Sequence, residues 1–149
     1  MPRIERTANV TWEGNVARGT GHISGDTGAF GDLPFSLPTR IGAAEGKTSP
    51  EELLAAAHGG CITMSLAGEL TRAGTPPGRL DVHVTIVMDE VEGQGHQIVG
   101  SIVDAAVAVD GLDDAALQAA AAKADAGCPF SQLLARAGAD VQVTARLLP

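Results

Sequence analysis

Basic residues are scarce: ten Lys and Arg stand against eighteen Asp and Glu, for a formal net charge of −8 and a pI near 4.8. They are also scattered along the chain, leaving no basic patch for a phosphate backbone or an anionic lipid surface. Nucleic acid and membrane are therefore not expected as partners. No apolar run reads as long enough to span a bilayer, and the polar N-terminus MPRIERTANVTWEG lacks the apolar core of a secretory leader. The expected location is cytoplasmic. Cysteine is rarer still, with only Cys61 and Cys128. In a reducing compartment a disulfide between them is expected to be transient and catalytic rather than structural. Two cysteines and the dispersed His22, His83 and His96 lack zinc-site spacing. The Asp110-Gly-Leu-Asp-Asp run holds too few ligands for an EF-hand loop, and the GTG and GDTG pieces lack the following helix that a phosphate cradle needs. No metal or cofactor is expected.

What the chain does have is enough apolar content for a core: 44% of 149 residues, with 19% charged, fits a single globular domain over 1–149. Residues 6–41 are rich in Gly, Thr and Pro, and their short alternating runs, TANVTWEG and GTGHIS among them, predict three short strands with Trp12 as strand packing. Ser49-Pro50-Glu51-Glu52 then reads as a capping box, with Ser49 as N-cap, Pro50 at N1 and Glu52 at N3. Gly74 and Pro76-Pro77 close the helix after about 24 residues, or roughly 36 Å. Leu53, Leu54, Ala57, Cys61, Met64 and Gly68 recur at helical spacing, and Ala or Gly at most other positions before Glu69 predicts a long central helix, buried and in close contact all round. LDVHVTIVMDEV and HQIVGSIVDAAVAV flank EGQG as a hairpin. Asp113 to Ala126 reads as an Ala-rich helix stopped by Gly127, Pro129 opens a short helix to about Arg136, and DVQVTARLL alternates as a last strand. The fold class is α+β.

The two thiols differ in setting. Cys61 lies about ten residues past the first turn of the long helix, where the helix dipole contributes little and burial raises a thiol pKa. A cysteine with the ordinary thiol pKa of about 8.5 is only about 3% ionised at pH 7, so full ionisation would be worth about 30-fold in attacking species. An arginine or an imidazolium must supply the charge, and His58, three residues earlier on the same face, is one source. Cys128 sits at a helix start, where backbone N–H groups favour an anion. Both residues are also compatible with inert packing.

The segments TSPEELLAAAHGGCITMSLA and KADAGCPFSQLLA, with WEGNVARGTGHIS and LPTRIG before them, closely resemble the OsmC branch of the OsmC/Ohr peroxidases over nearly the whole chain. Gly59-Gly60 stands where alanine or serine is commoner. The resemblance implies an OsmC-like intertwined homodimer and a cysteine-based reductase of organic hydroperoxides, using a dithiol reductant and protecting against oxidative stress. It implies Cys61 as the peroxidatic thiolate, passing through a sulfenic acid, and Cys128 as the partner that condenses with it to a disulfide. It maps the activating pair onto Arg40, holding the thiolate and polarising the peroxide, and Glu51, orienting the guanidinium. Arg18 is the alternative cation, at the position the sister branch uses.

Glu51 and Cys61 are ten residues apart, or roughly 15 Å along one unbroken helix. Either the helix breaks at Gly59-Gly60 or Glu51 serves a Cys61 on another chain. Burial of an alkyl peroxide favours it over hydrogen peroxide at about 25 cal/mol per Å², and Leu54, Ile62, Met64, Phe130 and Leu133 are candidate pocket walls. Two other classes fit the residues: a cysteine hydrolase or acyltransferase pairing Cys61 with His58, and a non-enzymatic dimer that binds a small ligand.

Overall fold

The computed structural model describes residues 2–149. These divide into two compact units, residues 2–50 and Glu51–Pro149. The first holds a three-stranded antiparallel sheet, β1 (Ala8–Glu13), β2 (Thr20–Gly25) and β3 (Leu33–Phe35), in that order. Trp12 pairs with Gly21, and Gly21 with Phe35. This register lays the two rings over the glycine, with centroids 5.5 Å apart. A Cβ on Gly21 would come within 2.3 Å of the Phe35 ring, so only glycine lets the aromatic pair close across the middle strand. The expected strand packing of Trp12 is this contact.

The helix α1 (Leu37–Ile41) follows, and the sequence reading missed it. Its signals are present, with Ser36 as an N-cap whose hydroxyl accepts from the Thr39 N–H and a proline in the first turn. At five residues it is too short to display a 3.6-residue period.

The second unit is built on α2 (Pro50–Arg72), β4 (Arg79–Val91), β5 (Gly95–Ala108), α3 (Asp114–Gly127), α4 (Pro129–Arg136) and β6 (Asp140–Leu147). Strands β4 and β5 form the expected hairpin, with a register shift between Val87 and Met88. Strand β6 lies parallel to β5, the α3–α4 pair making the crossover that a parallel connection requires. Asp113 caps α3 by accepting from the Ala116 N–H at 2.8 Å.

Helix α2 runs unbroken through Gly59-Gly60. Gly59 serves close approach to the sheet, since a Cβ there would stand 3.2 Å from the Val84 side chain. The fully buried line of α2 is His58, Ile62, Leu66 and Leu70, at strict four-residue spacing; contrary to the expected burial all round, Ala57 and Met64 of the anticipated line are exposed and Cys61 is partly buried, because the sheet and α3 cover one side of the helix. Met64 is 72% exposed. Ile62, Leu66 and Leu70 pack with Val103, Ala105 and Val107 of β5 and with Leu117, Ala120, Ala121 and Ala124 of α3. This core places Cys61 at the edge of α2 and Cys128 at the α3–α4 junction. Contrary to the sequence reading, one apolar stretch does have the length and composition to cross a bilayer: α2, with a mean hydropathy of 1.2. Its buried face is nevertheless committed to the sheet and to α3.

Candidate thiol site

Cys128 closes α3 and opens α4, and its side chain is fully buried among the core residues. It makes no cap hydrogen bond. Both cysteines are free thiols, and the Cys61 and Cys128 side chains are hydrogen-bonded to each other. The backbone N–H of Phe130 donates to the Cys61 sulfur. That N–H belongs to the first turn of α4, one of the donors a helix start leaves unpaired. The helix start that adjoins Cys128 in sequence therefore serves Cys61 in space.

The surroundings of Cys61 do not by themselves make a thiolate. Burial and the hydrogen bond with Cys128 push its pKa above the ordinary thiol value, and the Phe130 N–H offsets this only in part. Its thiolate fraction at neutral pH is therefore smaller than that of an ordinary thiol. A cation is still needed, and His58 does not provide it. Its ring is fully buried, with Nδ1 2.8 Å from the Ser101 hydroxyl and Nε2 2.8 Å from the Ser131 hydroxyl. Both ring nitrogens are taken, which removes the geometry that a Cys61–His58 hydrolase requires.

Desolvation lowers the His58 pKa from 6.5, with the nearby Asp125 carboxylate acting in the opposite direction. A depressed folded pKa contributes stability above the unfolded value that is lost as pH falls through the folded one. Urea midpoints are accordingly expected to fall between pH 7.5 and 5.5, with a His58 share of at most about 1.4 kcal/mol per pH unit. His58→Gln should flatten that slope, and an unchanged slope would mean that His58 does not titrate in this range.

Glu51 and Cys61 share the unbroken α2, so they stand about 15 Å apart along its axis and are not neighbours within one chain. Arg40 lies in the last turn of α1 and lines an apolar cleft of about 180 Å³ with Trp12, Val16, Phe35, Leu37 and Pro50. Arg18 is exposed in the β1–β2 turn, its N–H bonded to Asn15. Among the anticipated pocket walls, Phe130 reaches the thiols through its backbone, Ile62 is in the core, Leu54 is half-buried, and Met64 and Leu133 are exposed. Sequence reasoning missed Ser101 and the structural use of Ser131. The signals were a lone hydroxyl in the apolar run IVGSIV and the serine of GCPFS.

An α+β chain that brings two free thiols together, one on a long helix and one at the start of a short one, defines a two-cysteine thiol protein. The chain belongs to the OsmC family: the family model described as OsmC-like protein matches residues 42–144. Peroxiredoxin OsmC of Escherichia coli (strain K12) is 36% identical over 131 residues, 88% of this chain and 90% of that one. An organic hydroperoxide resistance protein of Xanthomonas axonopodis pv. citri (strain 306) is 30% identical over 115 residues, 76% of this chain and 78% of its own. Among solved structures, the organic hydroperoxide resistance protein OhrB of Bacillus subtilis aligns with a TM-score of 0.73 at 26% identity, covering 94% of this chain and 98% of that one. An organic hydroperoxide resistance protein from Elizabethkingia anophelis aligns with a TM-score of 0.78 at 23% identity, over 99% and 100% of the two chains, which is a likeness of fold.

Proposed function

We propose that the protein is a cytoplasmic, cysteine-based peroxidase that reduces organic hydroperoxides to alcohols and protects against oxidative stress. The observation that carries this reading is the hydrogen-bonded Cys61–Cys128 pair with a helix-start N–H on Cys61. The names of the relatives, peroxiredoxin and organic hydroperoxide resistance protein, support the substrate class. Matches extending over 88% of the chain support one OsmC-like domain spanning 1–149.

The Cys61 thiolate attacks the distal peroxide oxygen, the O–O bond breaks, and the alkoxide takes a proton and leaves as the alcohol. Cys61 becomes a sulfenic acid. The Cys128 sulfur displaces its hydroxyl as water, forming a disulfide, and a dithiol restores both thiols by exchange while itself becoming a disulfide. Arg40 supplies the charge that Cys61 lacks and polarises the peroxide, with Glu51 orienting its guanidinium. The apolar walls around Arg40 suit an alkyl chain, for which hydrogen peroxide has no counterpart.

The working form in this reading is a homodimer, in which Glu51 serves the partner's Cys61. Its separation from Cys61 along an unbroken helix supports this. So does an open groove of about 680 Å³ between α2 and β4, floored by Ala55, Ala56, Gly59 and Gly60 and flanked by the exposed Met64, whose small residues admit a second helix.

Steady-state assays with a dithiol test the reading: kcat/KM for cumene hydroperoxide should exceed that for hydrogen peroxide. Equal values would remove the substrate assignment. Arg40→Lys keeps the charge but loses the planar fork, and thiolate oxidation should slow by at least about tenfold with the fold intact. In Arg40→Ala, Cys61 alkylation should show no plateau below pH 9, since burial and Cys128 are left to set its pKa upward. Profiles identical to the parent would take Arg40 out of the mechanism.

A further inference from the structure

The imidazole of His58 takes no part in the chemistry above, yet it is buried without exposure and bonded at both nitrogens. A neutral imidazole has one N–H to give and one lone pair to receive, and a serine hydroxyl can do either. Ser101 and Ser131, both buried themselves, therefore satisfy either tautomer and use up the ring's capacity. His58 lies three residues before Cys61 on the same face of α2, and Ser131, in the first turn of α4, stands three residues after Cys128, the N-cap of that helix. Two cross-links thus join α2 and α4, one turn apart: the hydrogen bond from His58 to Ser131 and the contact of Cys61 with Cys128. Ser101 fixes the same ring to β5, the middle strand of the sheet.

We propose that His58, held by Ser101 and Ser131, is a positioning residue that clamps the start of α4 against α2 and so sets the closure of the Cys61–Cys128 disulfide. The proposal rests on the peroxidase reading for its biological use, though not for its geometry. A disulfide forms only with Cα atoms about 4.4–6.8 Å apart. The thiols are not covalently joined in the reduced protein or in the sulfenic acid, and the clamp holds α4 in register during those states. Without it, α4 must be re-ordered at each closure, and the waiting sulfenic acid meets a second hydroperoxide more often. The outcome of that encounter is a sulfinic acid, formed as the peroxide gives up one oxygen and leaves as the alcohol.

Ser131→Ala removes the clamp, and Ser131→Thr restores its hydroxyl. Two readouts separate the clamp from the enzyme. In a glutathione redox buffer, one glutathione disulfide oxidises the two thiols and leaves as two glutathiones, so the equilibrium reports their effective concentration without any peroxidase activity. Ser131→Ala should lower that concentration by about tenfold and Ser131→Thr should return it to within about twofold, the scale expected when a reacting pair loses its orientation. With cumene hydroperoxide, Ser131→Ala should reach half sulfinic acid at about a tenth of the parent's concentration, while first-turnover oxidation of Cys61 changes by less than about threefold. An unchanged effective concentration in a folded Ser131→Ala protein overturns the clamp. If the parent consumes no hydroperoxide while the effective concentration falls as stated, the peroxidase reading fails and the clamp stands.

Discussion

Cys61→Ser abolishes hydroperoxide consumption, with an expected loss of at least about a thousandfold in kcat/KM. The reason is electronic. A serine hydroxyl is not ionised near neutral pH, and its oxygen has no stable counterpart of the sulfenic acid that takes up the peroxide oxygen. Cys61 is half-buried, at the edge of the core, so the smaller serine leaves the fold in place and the loss reads chemistry. The assay is peroxide disappearance with excess dithiol, with circular dichroism on the same sample. Residual activity within tenfold of the parent would move the nucleophile elsewhere.

The second large effect splits in two. Cys128→Ser keeps the first oxidation of Cys61 but closes no disulfide, so the sulfenic acid must be intercepted by a thiol from solution. An effective molarity is replaced by a millimolar one, and steady-state turnover should fall by about a hundredfold. Intact mass should then show Cys61 gaining two oxygen atoms under excess hydroperoxide, the sulfinic acid that the parent avoids. Unaltered turnover without over-oxidation would assign resolution to an external thiol alone, leaving the Cys61–Cys128 contact as packing. A cysteine hydrolase makes the opposite pair of predictions, since it needs no second thiol.

Much of the architecture was legible because its punctuation is local. Pro50 and Pro129 mark helix starts, Asp113 caps α3, and the alternation across LDVHVTIVMDEV is that of a half-buried strand in the hairpin. Helix α1 escaped because a single turn has no period to detect, although Ser36 and Pro38 carry the usual start signals. The buried line of α2 was misplaced because Ala and Gly surround Cys61 on several sides, so composition does not distinguish the core face from one open in the single chain. The strict His58–Ile62–Leu66–Leu70 spacing was present but included a histidine.

The site was legible as a pair of thiols and not as a geometry. Residue types and resemblance pointed to Cys61 and Cys128. Their contact depends on how α2 meets the α3–α4 junction, 67 residues further along the chain, and no local pattern encodes that. The partners of His58 lie 43 and 73 residues away. A lone helical histidine near a cysteine reads equally as a base or as packing until its nitrogens are seen to be occupied. The need for a cation was foreseeable from burial alone, and the structure sharpens it, since Cys128 adds to the upward pressure on the Cys61 pKa.

The central claim is that these two thiols form one redox couple driven by an organic hydroperoxide. Its most direct test is the free-thiol count and intact mass of the reduced protein after one equivalent of cumene hydroperoxide, alkylated under denaturing conditions. The account predicts loss of both thiols to an intramolecular Cys61–Cys128 disulfide, formed faster than with hydrogen peroxide. Two alkylatable thiols after prolonged exposure would contradict it and favour the ligand-binding reading.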